Sequence, residues 1–279
     1  MAMFMAYFDA SGHRTGHGKA PAMYVAGCVA SVDKWIEFET KWAALLREFD
    51  ITVPFHMTDF MAGQGKFRGW VGGDSRRKEF QLAAARILQR STDKPFAIGL
   101  VVSDLEWFFE RYVIPPSEPK SPYAWCSLFA FEHVALWLPN RVTRHRLHEK
   151  ADVEIVFEHG DPNQGEFRDA LWAKHKLEVN FRTNHGKKLA PFAAADFLGW
   201  VLRKWVSTRA VGLMALEQSK APFLTQKGKR EAMQRAANLL QPNDVVTEIA
   251  RILPTDALGM MNQDSLARLA KEKGWPERR

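Results

Sequence analysis

The chain has 279 residues, of which 46% are hydrophobic and 25% charged, so it is long enough for a real core and is not an intrinsically disordered chain. A formal charge of +7 is compatible with a nucleic-acid partner but does not identify one. No apolar run reaches the ~18 residues of a membrane-spanning helix, so we expect no membrane partner.

Strand-like and helical patterns alternate from the first residues onward. Apolar aromatic residues recur at helical spacing after the second strand-like run, and a Gly-rich stretch then interrupts the pattern. The elements predicted here are strands over 3–9 and 22–30, a helix over 31–49, an extended piece over 51–55, a loop over 63–74, and a helix over 74–89 begun by Asp74 or Ser75.

The alternation continues to about residue 206. The elements predicted there are a strand over 96–102, a short helix capped by Asp104, a helix over 121–138, a basic segment over 141–150, a strand ending at Glu158, a helix over 164–176, an extended piece over 177–181, and a helix over 189–206. Beyond 207 the apolar periodicity weakens and charges alternate in sign. We therefore predict an α/β domain with a mixed sheet over 1–206 and a helix-rich extension over 207–279.

The number and setting of the cysteines indicate the redox state of the cellular compartment. Only Cys28 and Cys126 occur, each in an apolar run, which indicates buried thiols and excludes a disulfide framework. Asp9 interrupts the first apolar stretch and no basic segment precedes it, which argues against a signal peptide. The sequence predicts a cytoplasmic protein.

Three carboxylates lie on predicted core elements. Asp9 ends the first strand, Glu158 ends a later strand, and Asp196 interrupts an apolar helix. A carboxylate in apolar surroundings is costly unless a positive group compensates it. Each Asp taken alone is better explained as a cap of a turn or as the partner of a buried arginine. Together the three predict a divalent-metal site of a phosphoryl-transfer enzyme.

The third ligand has an alternative in the same segment. Glu158 follows the strand register, whereas Asp161 lies three residues later and can instead cap the next helix. We favour Glu158 as the ligand and keep Asp161 as a candidate. The nine histidines show no zinc-binding spacing, and neither a complete phosphate-binding loop nor a GxSxG sequence occurs.

Several polar residues are candidates for supporting roles. His56 can act as a proton donor or orienting group, or it can simply pair with Asp59. Lysines next to a helix N-terminus can contact phosphate, although a solvated loop explains them as well. The candidates for substrate contact are Ser11, Lys187, Lys188 and Arg203, and the basic segment 141–150 is either a contact with the nucleic-acid backbone or a solvated loop.

Three short motifs carry a family resemblance. They are Tyr7-Phe8-Asp9-Ala10-Ser11-Gly12, His56-x-x-Asp59 and Ala194-Ala195-Asp196-Phe197-Leu198. These motifs resemble a widespread family of unknown function, numbered thirty-eight hundred among the domains of unknown function, whose members look like RNase H-fold proteins. The match covers roughly residues 1–206. Ala10 and Ala194 stand where that family usually has Glu and Gln.

The resemblance implies an RNase H-like core in which acids on the first strand, a middle strand and the last helix bind metal. Carried over, these acids are Asp9, Glu158 and Asp196. From the residues themselves we expect His56 to assist and Mg²⁺ or Mn²⁺ to be the cofactor. The function that we expect is a metal-dependent nuclease. The alternative is a catalytically inactive module that binds nucleic acid, or a protein partner through the C-terminal extension, and the loss of an acid at Ala10 favours it.

Overall fold

A computed structural model describes residues 3–12, 22–52, 55–70, 74–137, 153–183, 189–219, 245–253 and 258–278. Six strands form one sheet: β1 (Phe4–Ser11), β2 (Ala22–Ser31), β3 (Lys94–Val101), β4 (Val153–Glu158), β5 (Asn180–Arg182) and β6 (Leu258–Met261). Their order is β5-β4-β1-β2-β3-β6. β2 runs antiparallel to β1 and β3, while the pairs β1–β4, β4–β5 and β3–β6 are parallel. The predicted α/β class with a mixed sheet is confirmed.

Helices cover both faces of the sheet. They are α1 (Val32–Glu48), α2 (Met57–Ala62), a 3₁₀ helix (Gly65–Trp70), α3 (Asp74–Ser91), α4 (Val102–Arg111), α5 (Pro122–Trp137), α6 (Gln164–His175), α7 (Ala190–Ser219), α8 (Val245–Ile252) and α9 (Gln263–Lys273). One buried cluster joins the sheet to α1, α2, α3, α7 and α8. A second cluster joins the other face to α4, α5, α6 and α9. We call these faces the α7 face and the α5 face.

The strand sequences match this three-layer arrangement. β2 lies near the middle of the sheet, and every residue from Ala22 to Ala30 is buried, as expected for a strand covered on both sides. In β1 the side chains alternate, so that Tyr7 belongs to the cluster on the α7 face and Phe8 to the cluster on the α5 face. This alternation decides on which side each polar residue of β1 lies.

Small residues bring α7 close to the sheet. A Cβ built on Gly199 would lie 3.5 Å from the Ser11 Cβ and 3.6 Å from the Ala26 Cβ. The first turns of α7 are Ala-rich and buried, which permits the same close approach. α7 extends well beyond the predicted end at 206, so the sequence-based boundary between 206 and 207 falls inside one helix. The C-terminal part also supplies β6 to the sheet.

Several local predictions were wrong. Residues 51, 52 and 55 belong to no strand, and the predicted loop over 63–74 contains the 3₁₀ helix. This helix forms because Phe67 and Trp70 are buried in an aromatic cluster with Phe60. Asp104 lies in the first turn of α4, whose N-cap is Val101. The basic segment 141–150 lies outside the described residues.

Two further features concern membrane-spanning helices and the two cysteines. No helix in the described ranges combines the length and apolar character needed to cross a bilayer. Cys28 and Cys126 are both buried and free, and they belong to opposite faces of the sheet. The prediction of two buried, unpaired thiols is confirmed.

Candidate functional site

The sheet brings Asp9 and Glu158 to the same edge. β1 and β4 are parallel neighbours whose register runs from Phe4 opposite Val153 to Phe8 opposite Phe157. Asp9 and Glu158 each follow the last of these pairs by one residue. Carboxyl ends of parallel strands meet at one edge of a sheet, which is where α/β proteins commonly place polar sites. The two acids are therefore next to each other although 149 positions separate them.

Both side chains lie on the α7 face. Tyr7 and Val156 belong to the cluster on that face, and Asp9 and Glu158 are two residues further along their strands. Since side chains alternate with a period of two, all four share one face. Ala10 packs with the opposite cluster. An acid at position 10 would therefore not add a carboxylate to the α7 face.

Asp196 reaches the same place from α7. Its Oδ2 atom accepts a hydrogen bond of 2.7 Å from the backbone N–H of Met57, the first residue of α2. The first N–H groups of a helix have no partner within the helix, so a carboxylate is a favourable acceptor there. This bond fixes the Asp196 carboxylate between two elements far apart in sequence.

The charges of both other acids act on Asp9. Burial, then the charges of Glu158 and Asp196 and a hydrogen bond with the Glu158 side chain, raise the pKa of Asp9 well above its usual range. The Asp9 Oδ1 atom also accepts a 2.7 Å hydrogen bond from the Ala10 N–H, which lowers the pKa but does not offset the larger effects. Although the Asp9 side chain keeps some solvent contact, its carboxyl group is deeply surrounded by protein.

A hydrogen bond between two carboxyl groups requires a proton on one of them. Because the pKa of Asp9 is raised, Asp9 keeps its proton to a higher pH than a free aspartate does and can donate it to Glu158 in this hydrogen bond. A cation that binds these carboxylates would have to displace this proton.

His56 lies beside this group of acids, as the N-cap residue of α2. Its Nε2 atom is 3.7 Å from Asp196 Oδ2, and its Nδ1 atom is 4.0 Å from Asp59 Oδ2. Both distances exceed a hydrogen bond, and Nδ1 is buried with no hydrogen-bond partner among the described residues. A modest movement of the ring would bring it into contact with either carboxylate.

Asp161, the alternative to Glu158, has a different environment. Its Oδ1 atom accepts hydrogen bonds from the Asn163 backbone N–H at 2.8 Å and from Asn163 Nδ2 at 3.2 Å. The Asp161 charge also contributes to raising the pKa of Tyr123, which lies on the α5 face. Asp161 organises the turn before α6, and Glu158 remains the acid that interacts directly with Asp9.

The candidates for substrate contact divide into two groups. Ser11 is half-buried and two residues beyond Asp9 on the α7 face, close to Gly199. Arg203 is exposed on α7, one turn after Gly199, and its charge acts on Tyr24, the register partner of Ser11. Lys187 and Lys188 lie outside the described residues.

Sequence reasoning missed two polar residues near the site. Arg182 on β5 is the register partner of Glu158, and its NH2 atom lies 2.6 Å from Glu154 Oε1. Gln164, the first residue of α6, is buried and donates a 2.7 Å hydrogen bond to the Glu158 carbonyl oxygen. The sequence places both residues at element ends, but it contains no signal for which strands are neighbours.

The donor set suits a hard cation. Carboxylate oxygens from Asp9, Glu158 and Asp196 are the ligands that Mg²⁺ and Mn²⁺ prefer. Within the described ranges, however, no three His, Cys, Asp or Glu side chains are arranged as a ready metal-binding group. The acids are instead engaged with one another and with Met57. Their chemistry fits a cation, and binding would require their carboxyl groups to reorient.

In comparisons with known proteins, no family model, no curated protein and no solved structure matches the chain. Functional reasoning therefore rests on the geometry of the site.

Proposed function

We propose that this protein is a divalent-metal-dependent phosphodiesterase that acts on nucleic acid. One observation carries the proposal: Asp9 and Glu158 lie at one sheet edge, and the pKa of Asp9 is raised by burial and by the charges of Glu158 and of Asp196 on α7. Such perturbed carboxylates are typical of functional sites. Acids with a purely structural role at this sheet edge would be expected to pair with a positively charged side chain.

The proposal includes an RNase H-like core and membership of the family named above. Two features support it. The acids occupy a first strand, a middle strand of the sheet and a late helix that crosses it, which is the distribution that the resemblance implies. The departure at Ala10 is on the opposite face from Asp9, so it leaves the three-acid group complete.

Each site residue would have a separate role in the reaction. Asp9, Glu158 and Asp196 would hold Mg²⁺ or Mn²⁺, which supplies a polarised phosphodiester and an attacking water of lowered pKa. The Met57 N–H orients Asp196. His56, partly exposed and next to Asp196, can carry a proton to or from the reacting oxygens.

Cations beside the site support a polyanionic substrate. Arg203 is exposed on α7, and Arg182 is about half exposed one strand away from Glu158. The whole chain carries +7. Arginines flanking an acidic centre can bind the phosphates on either side of the reacting bond.

A second candidate is a catalytically inactive module that binds nucleic acid or a protein. It is favoured by the lack, among the described side chains, of a preformed metal-binding group. In this alternative the shared proton of Asp9 and Glu158 is the permanent state, and the acids serve only to fix α7 and α2 on the sheet.

Cleavage assays distinguish the two candidates. Labelled single-stranded DNA, single-stranded RNA, duplex DNA and RNA–DNA hybrid are incubated with the protein and Mg²⁺ or Mn²⁺. We expect cleavage of at least one substrate, abolished by EDTA and reduced more than ~100-fold in Asp9→Asn and Asp196→Asn, since even outer-shell changes cost 10- to 100-fold. The matched control is Asp169→Asn, because Asp169 is exposed on α6. Binding without cleavage, equal in all variants, would favour the inactive module.

A further inference from the structure

The end of β4 needs an anchor at Glu158. The register with β1 stops at Phe157, one residue before Glu158. Two residues later Gly160 has a φ of +142°, a backbone conformation that other residues rarely adopt. On the other side Glu158 pairs with Arg182 of β5, and the His159 N–H donates a 3.0 Å hydrogen bond to the Arg182 carbonyl. β5 is only three residues long, so we expect the backbone that carries this carboxylate to need support from a further element.

Gln164 holds this backbone from α6. Its Nε2 atom donates a 2.7 Å hydrogen bond to the Glu158 carbonyl oxygen, and its Oε1 atom accepts a longer one, 3.4 Å, from the Gly160 N–H. Only one orientation of the amide satisfies both partners, since the NH₂ group must face the carbonyl and the oxygen must face the N–H. The Gln164 N–H in turn donates to the Asp161 carbonyl at 3.3 Å.

The surroundings of Gln164 are unusual for a buried amide. The side chain is 8% exposed and lies on the side of the sheet where Tyr123 and Ser127 of α5 are buried. Gln164 and Ser127 are close enough to the Tyr123 hydroxyl to lower its pKa, although burial raises that pKa overall. Burying an amide without hydrogen bonds costs free energy, and Gln164 uses its hydrogen bonds on the loop after Glu158, whereas the Tyr123 hydroxyl and the Ser127 Oγ are buried without a hydrogen-bond partner among the described residues.

We propose that Gln164 is a positioning residue that holds Glu158 next to Asp9, a role that rests on the proposed metal-dependent function. Gln164 does not touch the metal or the substrate. It fixes the last residue of β4 so that the Glu158 carboxylate projects from a constrained backbone. Partners of this kind, one step removed from the ligands, typically change metal affinity by 10- to 100-fold when they are removed.

The test compares two glutamines by calorimetric titration with Mn²⁺. Gln164→Met keeps the length of the side chain and removes both hydrogen bonds. The matched control is Gln81→Met, because Gln81 is 2% exposed on α3 and contacts Met61 rather than the acids. We expect Gln164→Met to raise the Kd for Mn²⁺ about 10- to 100-fold and Gln81→Met to leave it within about twofold. Equal Kd values for Gln164→Met and wild type would overturn the proposal.

A second variant and a second measurement complete this test. If Gln164→Met does not fold, Gln164→Asn replaces it, because its amide is one methylene too short to reach both partners. Exchange of the Gly160 amide, followed by NMR without metal, should be about five- to tenfold faster in the variant. Unchanged exchange would also overturn the proposal. If wild type itself does not bind Mn²⁺, the proposed function is refuted. This outcome differs from equal binding by wild type and Gln164→Met, which refutes only the role of Gln164.

Discussion

Asp9 is the residue on which the site depends. Its pKa is raised by burial first, then by the charges of Glu158 and Asp196 and by a hydrogen bond with the Glu158 side chain. Between the unfolded pKa near 3.8 and the raised folded value, the folded state binds more protons than the unfolded state. The free energy of unfolding therefore falls as pH rises through this window.

Replacing Asp9 should stabilise the metal-free protein. Asp9→Asn keeps the shape of the side chain and removes the charge, so we expect a gain of about 0.5–2 kcal/mol at about pH 7.5, the usual range for relieving an unfavourable functional residue. At about pH 4 the gain should shrink, because wild-type Asp9 is then protonated. Urea unfolding with EDTA measures both values.

The control for this measurement is Asp169→Asn, an exposed acid whose replacement should change the free energy of unfolding by less than about 0.5 kcal/mol. An Asp9→Asn variant that is less stable than wild type at both pH values would show that the carboxylate contributes to the fold.

The same acid pair predicts how metal binding depends on pH. A carboxylate must lose its proton to bind a cation, and the pKa of Asp9 is raised. Mn²⁺ should therefore bind more tightly at about pH 8 than at about pH 6, with release of about one proton per site. Calorimetry in two buffers of different ionisation enthalpy measures this release. Affinity independent of pH, with no proton released, would contradict the shared-proton description.

At the scale of elements, the contact between α7 and the sheet positions the third acid. Gly199 lies one turn after Asp196 and faces Ser11 and Ala26 at the distance of ordinary van der Waals contact for an added Cβ. Asp196 is also bonded to the start of α2. The helix can hold Asp196 near Asp9 only while this contact remains close.

Two substitutions at Gly199 should have opposite effects. Gly199→Ala adds a methyl group that fits and improves helix propensity, so we expect a gain of up to about 1 kcal/mol and unchanged Mn²⁺ affinity. Gly199→Leu overpacks the interface and should cost about 1–3 kcal/mol. It should also weaken Mn²⁺ binding by moving Asp196. Denaturant unfolding and calorimetry measure both effects, and equal behaviour of the two variants would contradict the close contact.

At the scale of the whole molecule, the C-terminal residues complete the core. β6 pairs with β3, and Leu266 of α9 is 1% exposed within the cluster on the α5 face. Trp275 contacts Phe108 and Trp125, with ring centroids at 6.1 Å and 6.4 Å. The described part of the extension is thus packed on the same sheet as the candidate site.

Destabilising α9 should therefore destabilise the N-terminal part as well. Leu266→Ala removes a buried side chain and should cost about 2–5 kcal/mol, whereas Arg268→Ala, exposed on the same helix, should change stability by less than about 0.5 kcal/mol. Tryptophan fluorescence reports mainly on residues 1–206, where all tryptophans except Trp275 lie. A fluorescence transition unchanged by Leu266→Ala would show that residues 1–206 unfold independently.

Local chemistry was readable from the sequence, whereas long-range pairing was not. The apolar settings of Asp9 and Asp196 predicted acids inside the fold, and alternation gave the face of Asp9. The end of α7 and the pairing of β6 with β3 depend on contacts between distant segments, which no local periodicity encodes. For the same reason Gln164 was placed on a helix but not beside Glu158.

The central claim is that the three acids form a cation site, and calorimetric titration of Mn²⁺ into wild type and Asp196→Asn tests it most directly. The claim predicts saturable binding by wild type that is lost in Asp196→Asn, with both proteins folded by circular dichroism. Absence of binding by folded wild type at millimolar Mn²⁺, or equal binding by the two proteins, would contradict it.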